Sequence, residues 1–369
     1  MKIAYLANIR FPSERAHAAQ IAHMCQAFAS HEGVEMVAIV NKRSSFTQRE
    51  INQYFKFETN FLVSRIASGY YNPKAKFSFY LSEFFFALNF ILSRKLRNYD
   101  SIYCREEWIV WALSYFISPS KLVWESHEAK LNFPARTLLK KGIKAVVISE
   151  GIQEEYLKAR ISKSQLLMAH DGIDESFFGT LQGKEEVRQK LGLPHDRKIA
   201  MYIGGFDDWK GVETFFGAAA LAPEVLFVAI GGSAEQVVTF SQKYPQVTFL
   251  GHLPYADLKN NQQAADVLVI PNTAKIELSS RFTSPLKLFA HMAAGVPIVA
   301  SDVPSIVSVT GREAVSLVPA DDSIALAKGI VAIFEDYASK KQAAQALKEV
   351  SVRYTWTQRA KDIINFLNI

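Results

Sequence analysis

The chain has 369 residues, of which 49% are hydrophobic and 21% are charged, and its formal net charge is +6. This composition predicts an ordinary globular protein of two domains and excludes a disordered chain. The mild positive charge fits an anionic ligand or membrane surface. Without a helix-turn-helix, zinc or RNA-binding signature, we expect no nucleic-acid partner.

Short apolar runs alternate with longer helical patterns along the chain, and this alternation predicts two doubly wound α/β domains with parallel sheets. Strands are predicted at residues 2–7, 34–40, 100–104, 121–125 and 143–148, and then at 198–203, 225–230, 246–250, 266–270, 297–300 and 314–318. Helical patterns lie between them, as at residues 17–30, 151–160, 185–191 and 285–294.

Turn residues without a clear period at 171–184 predict the linker between the domains. We expect a first domain at residues 1–175, completed by a C-terminal helix at 352–369, and a second domain at 176–351. The apolar start of the chain is too short, and is ended too abruptly by Asn8 and Arg10, for a signal peptide, and no run of 18 uncharged apolar residues occurs. Cys25 and Cys104 show neither metal spacing nor a disulfide framework, so a cytoplasmic protein is expected.

Residues 76–97 form a very apolar stretch that is rich in phenylalanine. One interpretation is a helix buried against the sheet, and the other is a helix partly exposed to lipid. Basic residues lie at its edges and in a second cluster further along: Lys74, Lys76, Arg94, Lys95 and Arg97, then Lys130, Arg136, Lys140, Lys141 and Lys144. Peripheral attachment to the anionic inner face of a membrane is therefore a hypothesis.

The second half contains four ordered motifs: "YIGGFDDWKGVETFFGAAA" at 202–220, "LFVAIGGSAEQ" at 226–236, "VTFLGHLPYADLKNNQQAADVLVIPN" at 247–272 and "SPLKLFAHMAAGVPIVASD" at 284–302. In this order they resemble the donor domain of family 4 of the retaining glycosyltransferases. "YCREEW", "WESHEAK" and "MAHDGIDESFF" in the first half agree with that resemblance. The resemblance implies the GT-B fold, in which two Rossmann-like domains face each other across a cleft, with donor on the second domain and acceptor on the first.

The resemblance places the donor diphosphate at Lys210, at the glycine turn Gly204–Gly205, and at the helix start Ser284, Pro285, Leu286 and Lys287. Charge builds on the leaving phosphate during transfer, so a fixed cation and helix N-terminal amides suit this position. Ser284 is expected as N-cap, with Pro285 as the first helical residue. Many relatives carry an arginine where this chain has Gly205, and Arg281 is a candidate replacement or a surface arginine.

The family motif has two glutamates eight residues apart, and Phe282 and Ala290 stand at these positions. Neither side chain accepts a hydroxyl hydrogen bond. The donor site uses other groups, binds an unusual donor or binds it weakly, or belongs to a non-catalytic relative. His291 could offer a ring nitrogen, but helical geometry turns it about 100° away from Ala290.

In the first half, His127 follows a buried strand, where ligands bind in open α/β sheets. The resemblance implies that it faces the donor sugar as a catalytic group. Glu125 and Glu128 flank it, and either is a candidate to orient the ring or a surface charge. Arg10, His17 and Arg105 are candidates on the acceptor side, or members of solvated loops. The first turn lacks G-x-G-x-x-G, which disfavours a dehydrogenase.

We therefore expect a retaining, metal-independent glycosyltransferase without a cofactor. Its donor would be a UDP-, GDP- or ADP-sugar and its acceptor a glycan or lipid-linked hydroxyl, as in polysaccharide biosynthesis. The alternatives are a non-catalytic nucleotide-sugar-binding partner subunit and, with less support in the motif order, an epimerase or phosphorylase of the same fold.

Overall fold

The computed structural model describes residues 1–13, 16–43, 45–55, 57–69, 75–93 and 98–367. The chain divides into two compact units, unit 1 comprising Met1–Asp171 with Trp356–Ile369, and unit 2 comprising Gly172–Thr355. Each unit is a parallel sheet flanked by helices. The expected fold class of two Rossmann-like domains is confirmed.

Unit 1 is built on a parallel sheet of seven strands in the order β3-β2-β1-β4-β5-β6-β7. The strands are β1 Lys2–Ala7, β2 Glu35–Asn41, β3 Leu62–Ile66, β4 Ser101–Cys104, β5 Leu122–Ser126, β6 Lys144–Val147 and β7 Leu166–Met168. The helices are α1 Ala16–Ala29, α2 Gln48–Phe55, α3 Lys76–Leu92, α4 Glu107–Leu113, α5 Phe133–Lys140, α6 Glu150–Lys158 and, from the end of the chain, α15 Trp356–Leu367.

Unit 2 repeats the plan with six strands in the order β10-β9-β8-β11-β12-β13. The strands are β8 Lys198–Ile203, β9 Val225–Ile230, β10 Val247–Gly251, β11 Val267–Ile270, β12 Ile298–Ser301 and β13 Ser316–Val318. The helices are α7 Lys184–Lys190, α8 Val212–Ala218, α9 Ala234–Lys243, α10 Leu258–Asn261, α11 Leu286–Ala294, α12 Pro304–Thr310, α13 Ser323–Glu335 and α14 Tyr337–Ser351.

All eleven predicted strands are present, and the sequence missed β3 and β7. β3 is an edge strand in which Ser64 and Arg65 interrupt the apolar run, and β7 at the other edge has only three residues. Central strands are buried on both faces and therefore read as continuous apolar runs, whereas edge strands do not. In unit 1, α15 packs against α1 and contributes Trp356 and Ile363 to the core.

The apolar helix α3 has both buried and exposed phenylalanines, so each of the two interpretations of residues 76–97 describes part of its surface. Phe86 and Phe90 are buried, whereas Phe77 and Phe84 are 72% and 52% exposed. Of the basic residues at its edges, Lys74, Arg94, Lys95 and Arg97 lie outside the described residues. No helix of the described ranges is both long enough and apolar enough to cross a membrane.

Candidate functional site

The first group of candidate residues in unit 2 lies where the strand order reverses. β8 is flanked by β9 and β11, and the chain leaves β8 at Ile203 directly into Gly204 and Gly205. Ligands of open α/β sheets bind outside the carboxyl ends of strands at such a switch point. The glycine turn predicted from sequence therefore occupies the binding edge of this sheet.

Lys210 folds back over this turn. Its Nζ lies 2.6 Å from Asp207 Oδ2, and a Cβ added at Gly205 would approach that Nζ to 2.6 Å. A Cβ at Gly204 would lie 3.0 Å from the Tyr202 hydroxyl oxygen and 3.1 Å from Lys287 Cδ. A side chain at either glycine would therefore displace a lysine side chain from this turn.

Lys287 reaches the same turn from α11. Its Nζ donates to the Tyr202 hydroxyl at 3.2 Å, and that hydroxyl donates to the Gly205 carbonyl at 2.7 Å. Burial, reinforced by the charge of Lys210, lowers the pKa of Lys287 to about 7. Two ammonium groups with one neighbouring carboxylate form an environment that an anionic ligand would complete.

The expected cap of α11 is wrong by one residue. The helix begins at Leu286 and its N-cap is Pro285, not Ser284. The reason is that the Pro285 carbonyl accepts from the amides of Leu288 and Phe289, while the Leu286 amide donates to the Ser284 carbonyl. Ser284 and Pro285 are buried, and Leu286 is 39% exposed at the helix start.

Arg281 lies in a π-helical turn at Leu278–Phe282 that is adjacent to the Asp208–Lys210 turn. Its Nη1 is 3.4 Å from Glu277 Oε1, and Glu277 is an exposed residue four positions earlier. Arg281 also lies over the Phe282 ring. The structure thus places Arg281 on a segment adjacent to the Lys210 turn and pairs it with Glu277.

Ala290 lies in the hydrophobic core of unit 2, not at its surface. It is 2% exposed and belongs to the same cluster as Phe289 and Met292. His291 is also buried, and its Nδ1 lies 2.6 Å from Gln262 Oε1. Burial, with a smaller effect of Lys287, lowers the pKa of His291 to about 3, so the imidazole is neutral. Neither side chain is presented to a ligand in this arrangement.

The second group of candidates surrounds His127 in unit 1, directly after β5. His127 Nε2 lies 2.5 Å from Glu125 Oε1, and Glu125 is completely buried. A carboxylate at Nε2 favours the imidazole tautomer with its proton on Nε2, which leaves Nδ1 as an acceptor. Glu125, one of two flanking carboxylates in the sequence, is the residue that orients the ring.

Arg359 of α15 forms an ion pair with Glu125 at the oxygen that does not contact His127. Its Nη2 lies 3.1 Å from Glu125 Oε2, and its Nη1 lies 3.2 Å from Asp171 Oδ1. The Tyr103 hydroxyl also donates to Glu125 Oε2. Burial alone would raise the pKa of Glu125, but Arg359, His127 and Tyr103 together outweigh burial and hold it below its ordinary value.

Gln20 links the acceptor-side candidate Arg105 to the same network. Its amide nitrogen donates to Asp171 Oδ1 at 2.7 Å and to Glu125 Oε1 at 3.2 Å, and its oxygen accepts from Arg105 Nη1 at 3.0 Å. Arg105 and His127 therefore belong to one connected cluster with four residues that sequence reasoning missed, which are Gln20, Tyr103, Asp171 and Arg359. His17 lies in the first turn of α1, and Arg10 is an exposed residue after β1.

Glu125, His127 and Asp171 place their ligand atoms within 4.8 Å of one another, as a metal site would. The guanidinium of Arg359 already contacts both carboxylates, so a divalent cation would have to displace a buried arginine. The arrangement is that of a buried ion-pair network. A depression of about 80 Å³ adjoins His127, and Arg105, Trp124 and Asn132 contribute to its wall.

Comparison with known proteins agrees with the resemblance of the second half. Residues 197–336 match the family "Glycosyl transferases group 1". The putative teichuronic acid biosynthesis glycosyltransferase TuaC of Bacillus subtilis is 29% identical over 208 residues, which are 55% of this chain and 50% of that protein. The chain thus spans about half the length of the curated relatives that it matches.

Solved structures extend the likeness to the whole fold. Sucrose-phosphate synthase from Thermosynechococcus elongatus has a TM-score of 0.76 at 21% identity, covering 100% of this chain and 98% of that one. Anabaena HepE, solved with UDP-glucose, has a TM-score of 0.72 at 16% identity, covering 100% and 99%. At these identities the likeness establishes the fold, which is that of GT-B glycosyltransferases.

Proposed function

We propose that the chain is a retaining glycosyltransferase that moves a sugar from a nucleotide-sugar donor to a hydroxyl of a glycan or lipid-linked acceptor. The observation that carries the proposal is the convergence of Lys210 and Lys287 on the Gly204–Gly205 turn, at the switch point of unit 2 and beside the start of α11. The match of residues 197–336 to a glycosyltransferase family supports it.

The chemistry requires stabilisation of a leaving nucleoside diphosphate. Lys210 and Lys287 would bind its phosphate oxygens, and the amides at the start of α11 would add a partial positive charge. Such groups act most strongly on charge that develops in the transition state, where one positioned donor contributes about 3–4 kcal/mol. Because these residues supply cations of their own, we propose transfer without a metal ion.

His127 would hydrogen-bond a hydroxyl of the transferred sugar and would not serve as nucleophile. Retention would follow from attack on the same face as the leaving phosphate, which accepts the proton of the acceptor hydroxyl. The buried carboxylate of Glu125 fixes the ring, as expected for a group that must be oriented before substrate binds.

An exposed aromatic surface in unit 1 supports a lipid-linked acceptor and peripheral attachment to a membrane. We call it the aromatic face, and define it as Phe77, Tyr80, Phe84, Phe85, Tyr115, Phe116 and Phe133, which are 72%, 45%, 52%, 42%, 58%, 66% and 65% exposed. Trp111 contacts Tyr115 and Phe133, and Lys141 Nζ lies 3.5 Å from the Tyr115 ring centre. Aromatic and basic groups in one surface are typical of binding to an anionic interface.

A non-catalytic nucleotide-sugar-binding subunit is the second candidate function. It is favoured by the burial of Ala290 in the core, because no carboxylate takes the place that the family gives to the second glutamate. A thermal-shift screen with UDP-, GDP- and ADP-sugars, followed by donor hydrolysis without acceptor, separates the two. Binding with hydrolysis supports the enzyme, binding without hydrolysis supports the subunit, and no binding contradicts both.

A further inference from the structure

Two carboxyl groups that the proposed mechanism does not use lie at the switch point of unit 1. The strand order reverses between β1 and β4. Asn8 follows β1, and its Nδ2 donates to Glu83 Oε1 at 3.0 Å. Glu106 follows β4 and is the N-cap residue of α4. Glu83 on α3 and Glu106 therefore meet at the edge of the sheet where ligands of this fold class bind.

Glu83 is the inner member of the pair. It is 2% exposed, and its Oε2 has no hydrogen-bond partner among the described residues. A buried carboxyl oxygen without a partner is unfavourable and calls for an explanation in terms of the groups around it. Burial, and then the negative charge of Glu106, raises the pKa of Glu83 well above its ordinary value.

Glu106 is the outer member and is only partly buried, so a ligand can reach it. Its Oε2 accepts a weak hydrogen bond from Cys104 Sγ at 3.4 Å. Burial raises the pKa of Glu106 to about 7, with Glu107 acting in the same direction and Arg105 opposing it. At neutral pH the group is therefore a hydrogen-bond donor for much of the time.

Aromatic rings lie beside the pair. Tyr80 precedes Glu83 by three residues on α3, so the two are neighbours on the helix surface, and Trp108 is in the first turn of α4. The Tyr80 and Trp108 ring centres are 5.0 Å apart, and Tyr80 is 45% exposed. A few polar groups beside aromatic rings are the usual lining of a small-molecule site.

We propose that Glu106, beside the Tyr80–Trp108 rings and with Glu83 behind it, binds a neutral sugar ring of the acceptor by donating a hydrogen bond to one of its oxygens. This inference rests on the proposed function. A neutral ligand fits better than a cation, because the guanidinium groups of Arg43 and Arg105 already act on the two carboxyls. Glu83, whose pKa is raised by burial and by the charge of Glu106, is the uncharged member of the pair.

The test is the pH dependence of binding of two neutral probes, methyl α-D-glucopyranoside and methyl α-D-mannopyranoside, measured by saturation-transfer NMR. The protonated fraction of a carboxyl group with a pKa of about 7 falls close to tenfold between about pH 6 and pH 8. We expect the wild type to bind at least one glycoside more weakly at the higher pH by up to about that factor.

Three variants and one control separate binding from structural effects. Glu106→Gln keeps a donor at every pH, so it should bind without pH dependence, whereas Glu106→Ala should lose binding. Glu83→Gln keeps the uncharged form that burial favours, so it should bind with the pH profile of the wild type. Glu32→Gln, an exposed carboxyl of the same unit, should match the wild type.

Binding that is undetectable for both glycosides, equal at the two pH values in the wild type, or unaffected by Glu106→Ala would overturn the proposal. A midpoint moved by Glu83→Gln would show that Glu83 is charged in the folded protein and would overturn this assignment of the two protonation states. Thermal shifts with the nucleotide sugars are measured on the same samples. Donor binding with pH-independent glycoside binding rejects this inference alone, and the absence of donor binding rejects the proposed function.

Discussion

Replacement of Arg359 by Met tests whether α15 organises the His127 cluster. Arg359 is 3% exposed and is the cation that compensates both Glu125 and Asp171, which are 0% and 6% exposed. Removing one partner of a buried ion pair destabilises a protein by about 3–5 kcal/mol, because the remaining charge stays buried. With two carboxylates left uncompensated, we expect a loss near the upper end of this range at neutral pH.

The loss should depend on pH in a defined direction. In the wild type the pKa of Glu125 lies below its unfolded value of 4.5, so its stabilising contribution is present above that value and is lost only as the pH falls further. In Arg359→Met burial dominates and raises this pKa, so the folded state binds a proton that the unfolded state releases. The variant should therefore become less stable, relative to the wild type, as the pH rises from about 5 to 8.

The assay is urea unfolding followed by tryptophan fluorescence in a Trp209→Phe background. Trp209 lies in unit 2, and the other four tryptophans, Trp108, Trp111, Trp124 and Trp356, lie in unit 1, so the signal reports on unit 1 alone. Lys361→Met, an exposed cation of the same helix, is the control and should change stability by less than about 0.5 kcal/mol. A loss below about 1 kcal/mol in Arg359→Met, or one that is constant with pH, would refute the reasoning.

Three further changes address the donor turn, the core and the surface. A bound anion should raise the pKa of Lys287 from its value of about 7. The affinity for the nucleoside diphosphate chosen by the screen should therefore fall above pH 7, by up to about tenfold per pH unit. Titration calorimetry measures this, Lys287→Arg should abolish the dependence, and constant affinity in the wild type would contradict it. Ala290→Glu should destabilise unit 2 by about 2–5 kcal/mol without tightening nucleotide-sugar binding, since residue 290 is in the core. Normal thermal stability together with tighter binding would show instead that the position faces the ligand. The protein should sediment with anionic vesicles at low salt and dissociate at high salt. Phe84→Ser should weaken this association, whereas Leu221→Ser, at an equally exposed apolar residue of unit 2, should not. Equal effects of the two changes would exclude the aromatic face as the membrane-binding surface.

The central strands and the donor turn were predictable because their physical requirements are local. β8 and β11 are continuous apolar runs, and Gly204, Gly205 and Lys210 lie within seven residues of one another. The start of α11 was misplaced by one residue, since both Ser284 and Pro285 are favoured near a helix N-terminus and the backbone hydrogen bonds decide between them.

The network behind His127 was not predictable in the same way. Gln20 and Arg359 come from helices at opposite ends of the chain, and they meet Glu125 only because α1 and α15 pack together in unit 1. Glu83 likewise interrupts an apolar helix in the sequence, and only its hydrogen bond from Asn8 places it at the edge of the sheet. Both cases are long-range pairings of buried polar groups, for which the sequence carries no periodic signal.

Release of nucleoside diphosphate from the nucleotide sugar selected by the screen, followed by phosphorus NMR, tests the central claim most directly. The lysine pair at the glycine turn should make Lys210→Ala slower than the wild type by about two orders of magnitude. Lys328→Ala, an exposed lysine of the same unit, should release the product at the wild-type rate. Equal rates in the wild type and Lys210→Ala would contradict the assignment of this turn as the donor site, and no release by the wild type with any of the three donors would contradict the proposed transfer.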